Sequence, residues 1–248
     1  MPKVYQLLLK ILQKKQVVYY NKYIPIQNNE SEDPIMSERK DPPEFTPKTC
    51  PVCGGETRRD ENGAAIRCIN ESCPAQKVRF LTHFASREAM DIDGLGSAIV
   101  ELLVEEALVD TPADLYRLEP SAVSGLEGMG EVSANNLTAA IARSKENDLW
   151  RLLFALGIRQ VGAKAAKTLA KHFGTLAEIA AATTEELTAV DDIGGITAEN
   201  IRQWFSSDEN RKLVEELQAA GVNMRCLTQS DDQRFRGKTI VLTGTLEQ

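Results

Sequence analysis

The chain has 248 residues, is 42% hydrophobic and 26% charged, and carries a net charge of −7. That is the balance of a soluble globular protein with room for one large domain or two to three small ones. No apolar run reaches the roughly 18 residues of a membrane span, so no membrane partner is expected. The acidic total gives no general attraction to nucleic acid, so any such binding has to rest on local charge. Aromatic residues are only 6% and many apolar residues are Ala and Leu, which favours helix over sheet.

The first 24 residues carry five lysines and no acid. Val4, Leu7, Leu8, Ile11 and Leu12 fall at helical spacing, which suits a short amphipathic helix. Lysines interrupt the apolar stretch and no small-residue cleavage site follows, so it reads poorly as a signal peptide. A cytoplasmic protein is expected. Residues 27–49 are polar and proline-rich and end in KDPPEFTPKT, the composition of a linker.

Four of the five cysteines then fall together, as Cys50-x2-Cys53, fourteen residues, and Cys68-x4-Cys73. Two close pairs separated by a loop suit one tetrahedral zinc, each pair offering two thiolates from a tight turn. Gly54-Gly55 lets the chain turn and aim N–H groups at the sulfurs. Asn62-Gly63 lies midway between two stretches that could pair as a hairpin. The alternative is two disulfides or unrelated thiols; disulfides are disfavoured in an intracellular chain. Four thiolates would close the coordination shell, so the zinc is expected to be structural. Cys226 stands apart in VNMRCL and reads as a buried core thiol.

Downstream, one pattern occurs four times: IDGLGSAIVELL (92–103), LEGMGEVSANNL (126–137), IRQVGAKAAKTL (158–169) and VDDIGGITAENI (190–201). Aligned on Gly96, Gly130, Gly162 and Gly194, the period is 34, 32 and 32 residues, the mark of stacked units. Apolar residues recur four before each glycine (Ile92, Leu126, Ile158, Val190), one before (Leu95, Met129, Val161, Ile193) and seven after (Leu103, Leu137, Leu169, Ile201). A short residue recurs four after: Val100, Ala134, Ala166, Ala198. This predicts helix, tight glycine turn, helix, with the glycine taking a backbone conformation closed to other residues. The short residue lets the helices approach, and the +7 residue continues the buried face. The first N–H groups of each second helix stay free to meet an anion. Repeated along a surface, such sites match nucleic-acid phosphates without reading bases. A purely architectural helical repeat is the alternative. The first two repeats hold paired glycines, Gly94 with Gly96 and Gly128 with Gly130, whereas Gln160 and Asp192 replace the first glycine in the others. Those two turns are expected to be made differently.

Local charge separates the repeats. From Gly157 to Phe173 there are Arg159, Lys164, Lys167, Lys171 and His172, and no acid; this is the strongest phosphate-binding candidate. The helix after the first hairpin carries Glu101, Glu105 and Glu106 and is expected to face solvent or another part of the protein. Thr111-Pro112-Ala113-Asp114 reads as a capped helix start. TTEELTAV (183–190) and SSDENRKLVEELQAAG (206–221) follow the same logic, the second stopping at Gly221.

The motifs CPVCGGE, RCINESCPAQ, HFASREAMDIDGLG and LGIRQVGAKAAKTLAKHFG, in this order, resemble the C-terminal half of a bacterial NAD-dependent DNA ligase. FRGKTIVLTGTL (235–246) resembles the opening of its BRCT domain. The resemblance spans roughly residues 37–248. It implies a mainly α fold: an unassigned segment 1–36, a linker 37–49, a four-cysteine zinc module 50–75, a helix-hairpin-helix DNA-binding domain 76–224, and a linker with a truncated α/β BRCT start 225–248. The implied zinc ligands are Cys50, Cys53, Cys68 and Cys73. The implied DNA-binding residues are Gly94, Gly96, Gly128, Gly130, Arg159, Gly162, Lys164, Lys167 and Gly194. The family seals nicks in duplex DNA in replication and repair. NAD adenylates a lysine, the AMP passes to a 5′ phosphate, and the 3′ hydroxyl displaces it. By the same resemblance the hairpins grip double-stranded DNA across the minor groove, and the zinc module joins them to the catalytic half.

No lysine here lies in the K-x-D-G setting of the adenylated lysine. The chain therefore reads as a fragment with no catalytic residue of its own, the catalytic domains implied upstream and the rest of the BRCT domain downstream. NAD and Mg2+ belong only to the complete ligase, and the fragment alone is expected neither to adenylate nor to ligate. Nicked duplex DNA in the bacterial cytoplasm, in association with the nucleoid, is the expected partner. The alternative is a stand-alone DNA-binding or scaffold protein with no catalytic role.

Overall fold

In a computed structural model, residues 48–59, 66–70 and 72–227 are described. The expectations for the N-terminal helix, for most of the linker, for the Asn62-Gly63 turn and for the BRCT-like opening fall outside these residues. The chain divides into two units between Lys77 and Val78.

The first unit is built on a two-stranded antiparallel ribbon, β1 (Thr57–Arg59) and β2 (Ile66–Cys68), in the register Thr57↔Cys68, Arg58↔Arg67, Arg59↔Ile66. A bridge between Thr49 and Glu56 extends it toward the first cysteine pair. So short a ribbon has no apolar face of its own and is not stable unaided.

Helix α1 (Pro74–Ala85) begins directly after Cys73, with proline at its first position, where the missing N–H costs nothing. The second unit continues with α2 (Ser97–Glu105), α3 (Pro112–Leu115), α4 (Pro120–Ser124), α5 (Glu131–Ser144), α6 (Leu149–Ala155), α7 (Ala163–Phe173), α8 (Leu176–Ala181), α9 (Thr184–Thr188), α10 (Gly195–Ser206) and α11 (Asp208–Ala219). Three hairpins are helix pairs: α4 with α5, α6 with α7, and α9 with α10. In the first, successive turns at 87–90 stand in for the leading helix before α2.

The repeat pattern is the core. All four residues at +4 and all four at +7 are buried, as are all four at −4. At −1, Leu95, Val161 and Ile193 are buried, while Met129 is half-buried. Phe84, Met90, Leu149, Leu152 and Leu153 are among the residues that join the repeat pattern in the apolar interior; truncating any of these leucines to Ala costs about 2–5 kcal/mol. Glu101, Glu105 and Glu106 face solvent.

Caps set the shorter elements. Thr111 and Asp114 form a capping box on α3, and Thr183 and Glu186 do so on α9. The sequence reading passed over a third such box, Thr175 with Glu178 on α8, and the Asp148 cap of α6. Burial alone would raise the Asp114 carboxyl. The N–H groups of Thr111 and Asp110, the Thr111 hydroxyl and Arg117 outweigh it and hold it below the usual carboxylate range. Helix α11 ends where Gly221 takes φ +85°.

Residues 222–226 act as a tie. The Asn223 N–H donates to Lys145 O at 2.8 Å and the Cys226 N–H to Gly174 O at 2.8 Å. Met224 O and Arg225 O accept from the N–H groups of Leu176 and Leu149 at 3.0 and 3.3 Å. The stretch thus pairs like a strand with the starts of α6 and α8. Cys226 is half-buried and packs against the core on the same side of the tie as Val222 and Met224, more exposed than the expected core thiol.

Candidate metal centre and nucleic-acid interface

The four cysteines meet at one point, each sulfur within 4.8 Å of the others. Cys50 Sγ lies 3.9 Å from Cys73 Sγ, and Cys53 Sγ 3.5 Å from Cys68 Sγ. A disulfide needs about 2.05 Å, so the disulfide alternative is excluded and all four thiols are free. Four sulfurs around zinc at about 2.3 Å stand roughly 3.8 Å apart, close to the 3.9 and 3.5 Å of these two pairs. The residues fit a structural zinc.

The turns that hold them follow from local sequence. Gly54 sits at φ +69°, in the left-handed region that favours glycine. A Cβ on Gly55 would stand 3.0 Å from Asn70 Cβ and 3.2 Å from Cys53 Sγ, so a side chain there would press on both cysteine-bearing turns. The Gly55 N–H donates to Cys53 Sγ at 3.4 Å and is the main reason that thiol is lowered to about 6. Cys73 precedes the first turn of α1. Burial pushes it up to about 12 against the opposing N–H groups of Gln76 and Ala75. The Asn70 N–H lowers Cys68, but burial and the facing thiols of Cys53 and Cys50 outweigh it and leave it raised. A divalent cation bound here would require all four thiols to give up their protons. The Gln76 side chain donates to Cys68 O and fastens the second pair to α1.

The hairpins repeat one backbone geometry. In each, the −1 N–H closes a turn onto the −4 carbonyl: Leu95 to Ile92, Met129 to Leu126, Val161 to Ile158, Ile193 to Val190, at 3.2, 3.1, 3.0 and 3.1 Å. The third residue of each turn has positive φ: Gly94 +82°, Gly128 +79°, Gln160 +63°, Asp192 +66°. This corrects the expectation that the third and fourth turns are made differently. A type II-like turn needs a left-handed third residue, and Gln160 and Asp192 accept that conformation at some cost in strain.

The second glycine differs from expectation too. Gly96, Gly130, Gly162 and Gly194 are the N-caps of α2, α5, α7 and α10, with φ −77°, −89°, −79° and −84° and ψ between 167° and 174°. Any residue adopts that backbone. A Cβ on any of the four would meet nothing within 4 Å. No side chain caps these helices, although Ser, Thr, Asp and Asn are preferred there. Neither conformation nor internal packing therefore calls for glycine at these positions. A bare cap does leave room for something outside the chain to approach the N–H groups closely.

The two central residues of each turn are exposed, with a cation only at the third. Arg159 lies in that turn and is exposed. Lys164, at the second position of α7, pairs with Asp192 of the fourth turn at 2.7 Å, and this pairing raises it. Lys167 Nζ stands 4.3 Å from the centre of the Trp150 ring, with Arg151 against the same ring at 4.9 Å. Sequence reasoning missed both Asp192 and Trp150 as partners, because each pairing joins elements separated in the chain. His172 is exposed and packs edge-on against Phe173 at 4.7 Å.

Comparison with known proteins finds three matching families. One described as the NAD-dependent DNA ligase C4 zinc finger domain matches residues 49–75. A SAM-like helix-hairpin-helix tandem matches residues 86–143, and a helix-hairpin-helix motif matches residues 151–214. The DNA ligase of Heliobacterium modesticaldum is 51% identical over 207 residues, which are 82% of this chain and 31% of that protein. The DNA ligase of Bacillus subtilis is 47% identical over 247 residues, 97% of this chain and 36% of that protein. That of Anoxybacillus flavithermus is 50% identical over 212 residues, 84% and 32%. The chain thus spans about a third of the length of the curated relatives it matches. The Bacillus subtilis match reaches into both terminal segments. No described helix is long and apolar enough to cross a membrane.

Proposed function

We propose that this chain, whose sequence is that of the C-terminal part of an NAD-dependent DNA ligase, serves that enzyme as a clamp on duplex DNA. The observation that carries this reading is the set of four uncapped helix starts, all with glycine where neither conformation nor packing asks for it. Each offers N–H groups and the positive end of a helix dipole to one phosphate oxygen. Contacts of this kind hold the backbone and ignore sequence, as an enzyme that acts on breaks anywhere must.

The zinc replaces the apolar core that the first unit lacks, and its four thiolates leave no position for a reactive water. Its part is to fold the unit. Adenylation, with NAD and Mg2+, belongs to the complete ligase, and nicked duplex in the bacterial nucleoid is the natural partner. Labelled NAD with Mg2+ should leave no AMP on this chain alone; a stable adduct would contradict that division of labour. The function itself is tested by equilibrium binding to nicked duplex, intact duplex and single strand across a salt series. Salt-sensitive binding that favours duplex supports the clamp. Equal affinity for single strand, or none at low salt, would favour the architectural scaffold.

A further inference from the structure

Of the large hydrophobic side chains among the described residues, the two most exposed are Val132 and Ile196, at 75% and 67%. Each occupies the second position of its helix, two residues past the bare glycine caps Gly130 and Gly194. The same position in the third hairpin is Lys164, whose side chain is 82% exposed, and in the first hairpin the small Ala98. A branched apolar side chain here is unfavourable twice over. It leaves apolar surface in water, and it loses rotamer freedom in a helix. Nothing in the fold compensates, since neither side chain is packed against the core.

The charges beside these two hairpins sharpen the point. Glu127 and Glu131 flank the second, and Asp191 and Asp192 the fourth, all exposed, with Asp192 paired to Lys164 of the third hairpin. Electrostatics therefore makes both hairpins poorer phosphate sites than the third. An apolar contact would hold a duplex there without needing cations. Next to a backbone phosphate, on the minor-groove side, the surface of a duplex is deoxyribose, rich in C–H groups.

We propose that Val132 and Ile196 lie against deoxyribose faces in the minor groove and supply a salt-independent part of duplex binding. This rests on the duplex-clamp reading above and adds to it a division between hairpins. The third grips by charge; the second and fourth grip by apolar contact beside their helix-end phosphates. The side chains are sequence-blind, because every nucleotide presents the same sugar.

The test is V132S/I196S, compared with the unaltered chain and with K164A. Melting temperatures check folding, and exposed positions should leave them unchanged. Binding to a nicked duplex is measured across a salt series, and hydroxyl-radical cleavage reports which deoxyriboses are covered. The double variant is expected to bind about tenfold or more weakly at every salt concentration, with the slope of log affinity against log salt unchanged. Two minor-groove patches should regain cleavage. K164A should instead reduce the slope by about one unit. Unaltered affinity and protection in V132S/I196S would show that these side chains serve another surface, such as a protein segment, and would overturn the inference. A reduced slope in that variant would overturn it too, since the loss would then be of phosphate contacts. Failure of the unaltered chain itself to bind duplex would sink the clamp reading, and the inference with it.

Discussion

Gly162→Ala separates folding from binding. At φ −79° and ψ 174°, with no atom within 4 Å of the new Cβ, alanine fits without strain. Two small terms oppose each other. Alanine is a poorer N-cap than glycine by roughly 0.5–1 kcal/mol. Against that, alanine restricts the unfolded chain and returns about 0.4–1 kcal/mol. The net change should lie within about 0.5 kcal/mol, which is about 2 °C or less for a unit of this size. Binding should respond quite differently. The methyl group occupies the approach to the first N–H groups of α7, where a phosphate oxygen would sit about 2.9 Å from each nitrogen. Loss of one such contact should cost about 1–2 kcal/mol, or roughly five- to thirtyfold in duplex affinity. The assay is paired thermal melting and equilibrium titration with a labelled duplex. A melting point many degrees lower would mean that the glycine is architectural after all. An unchanged affinity would mean that nothing approaches this helix end.

Gly94→Ala and Gly128→Ala should show the opposite pattern in thermal melting. Their φ values of +82° and +79° make alanine cost about 1–2 kcal/mol of stability; no change in melting would contradict the turn assignment. Cys68→Ser, or a strong chelator, should unfold residues 50–75 while the hairpins keep their helical circular dichroism. Loss of most of that signal would show that the two units fold as one. Asp114→Ala should cost about 1 kcal/mol near neutral pH through loss of the α3 capping box. Because the folded carboxyl titrates below its unfolded value, its contribution is present above about pH 4 and disappears as pH falls further. Melting curves of both proteins should therefore converge in acid, and a gap that persists there would refute the assignment.

The parts legible in the sequence were those written in local spacing. The cysteine spacing predicted the cluster, and the spacing of Ile92, Leu95, Val100 and Leu103 in the first repeat predicted their burial. The helix starts at Thr111 and Thr183 were legible because a capping box is complete within four residues. What escaped was either backbone choice or distant pairing. A glycine does not announce which φ it will adopt: the special backbone was expected at Gly96, Gly130, Gly162 and Gly194, whereas the left-handed residue of each turn lies two positions earlier. Gln160 and Asp192 looked like departures from the pattern, although the turn imposes the same left-handed geometry on them. The tie at 222–226, the Lys164–Asp192 pair and the Lys167–Trp150 contact join separate elements, and no local pattern encodes them. Val132 and Ile196 could have been noticed as apolar residues outside the core period, where Lys164 shows the position to be exposed.

The central claim is that backbone N–H groups at four helix starts hold a duplex. Amide spectra of the 15N-labelled chain, recorded while nicked duplex is added, test it most directly. The account predicts that the largest shifts cluster at residues 97–99, 131–133, 163–165 and 195–197. Shifts confined to α11 and the 222–226 tie, with those amides unmoved, would contradict it.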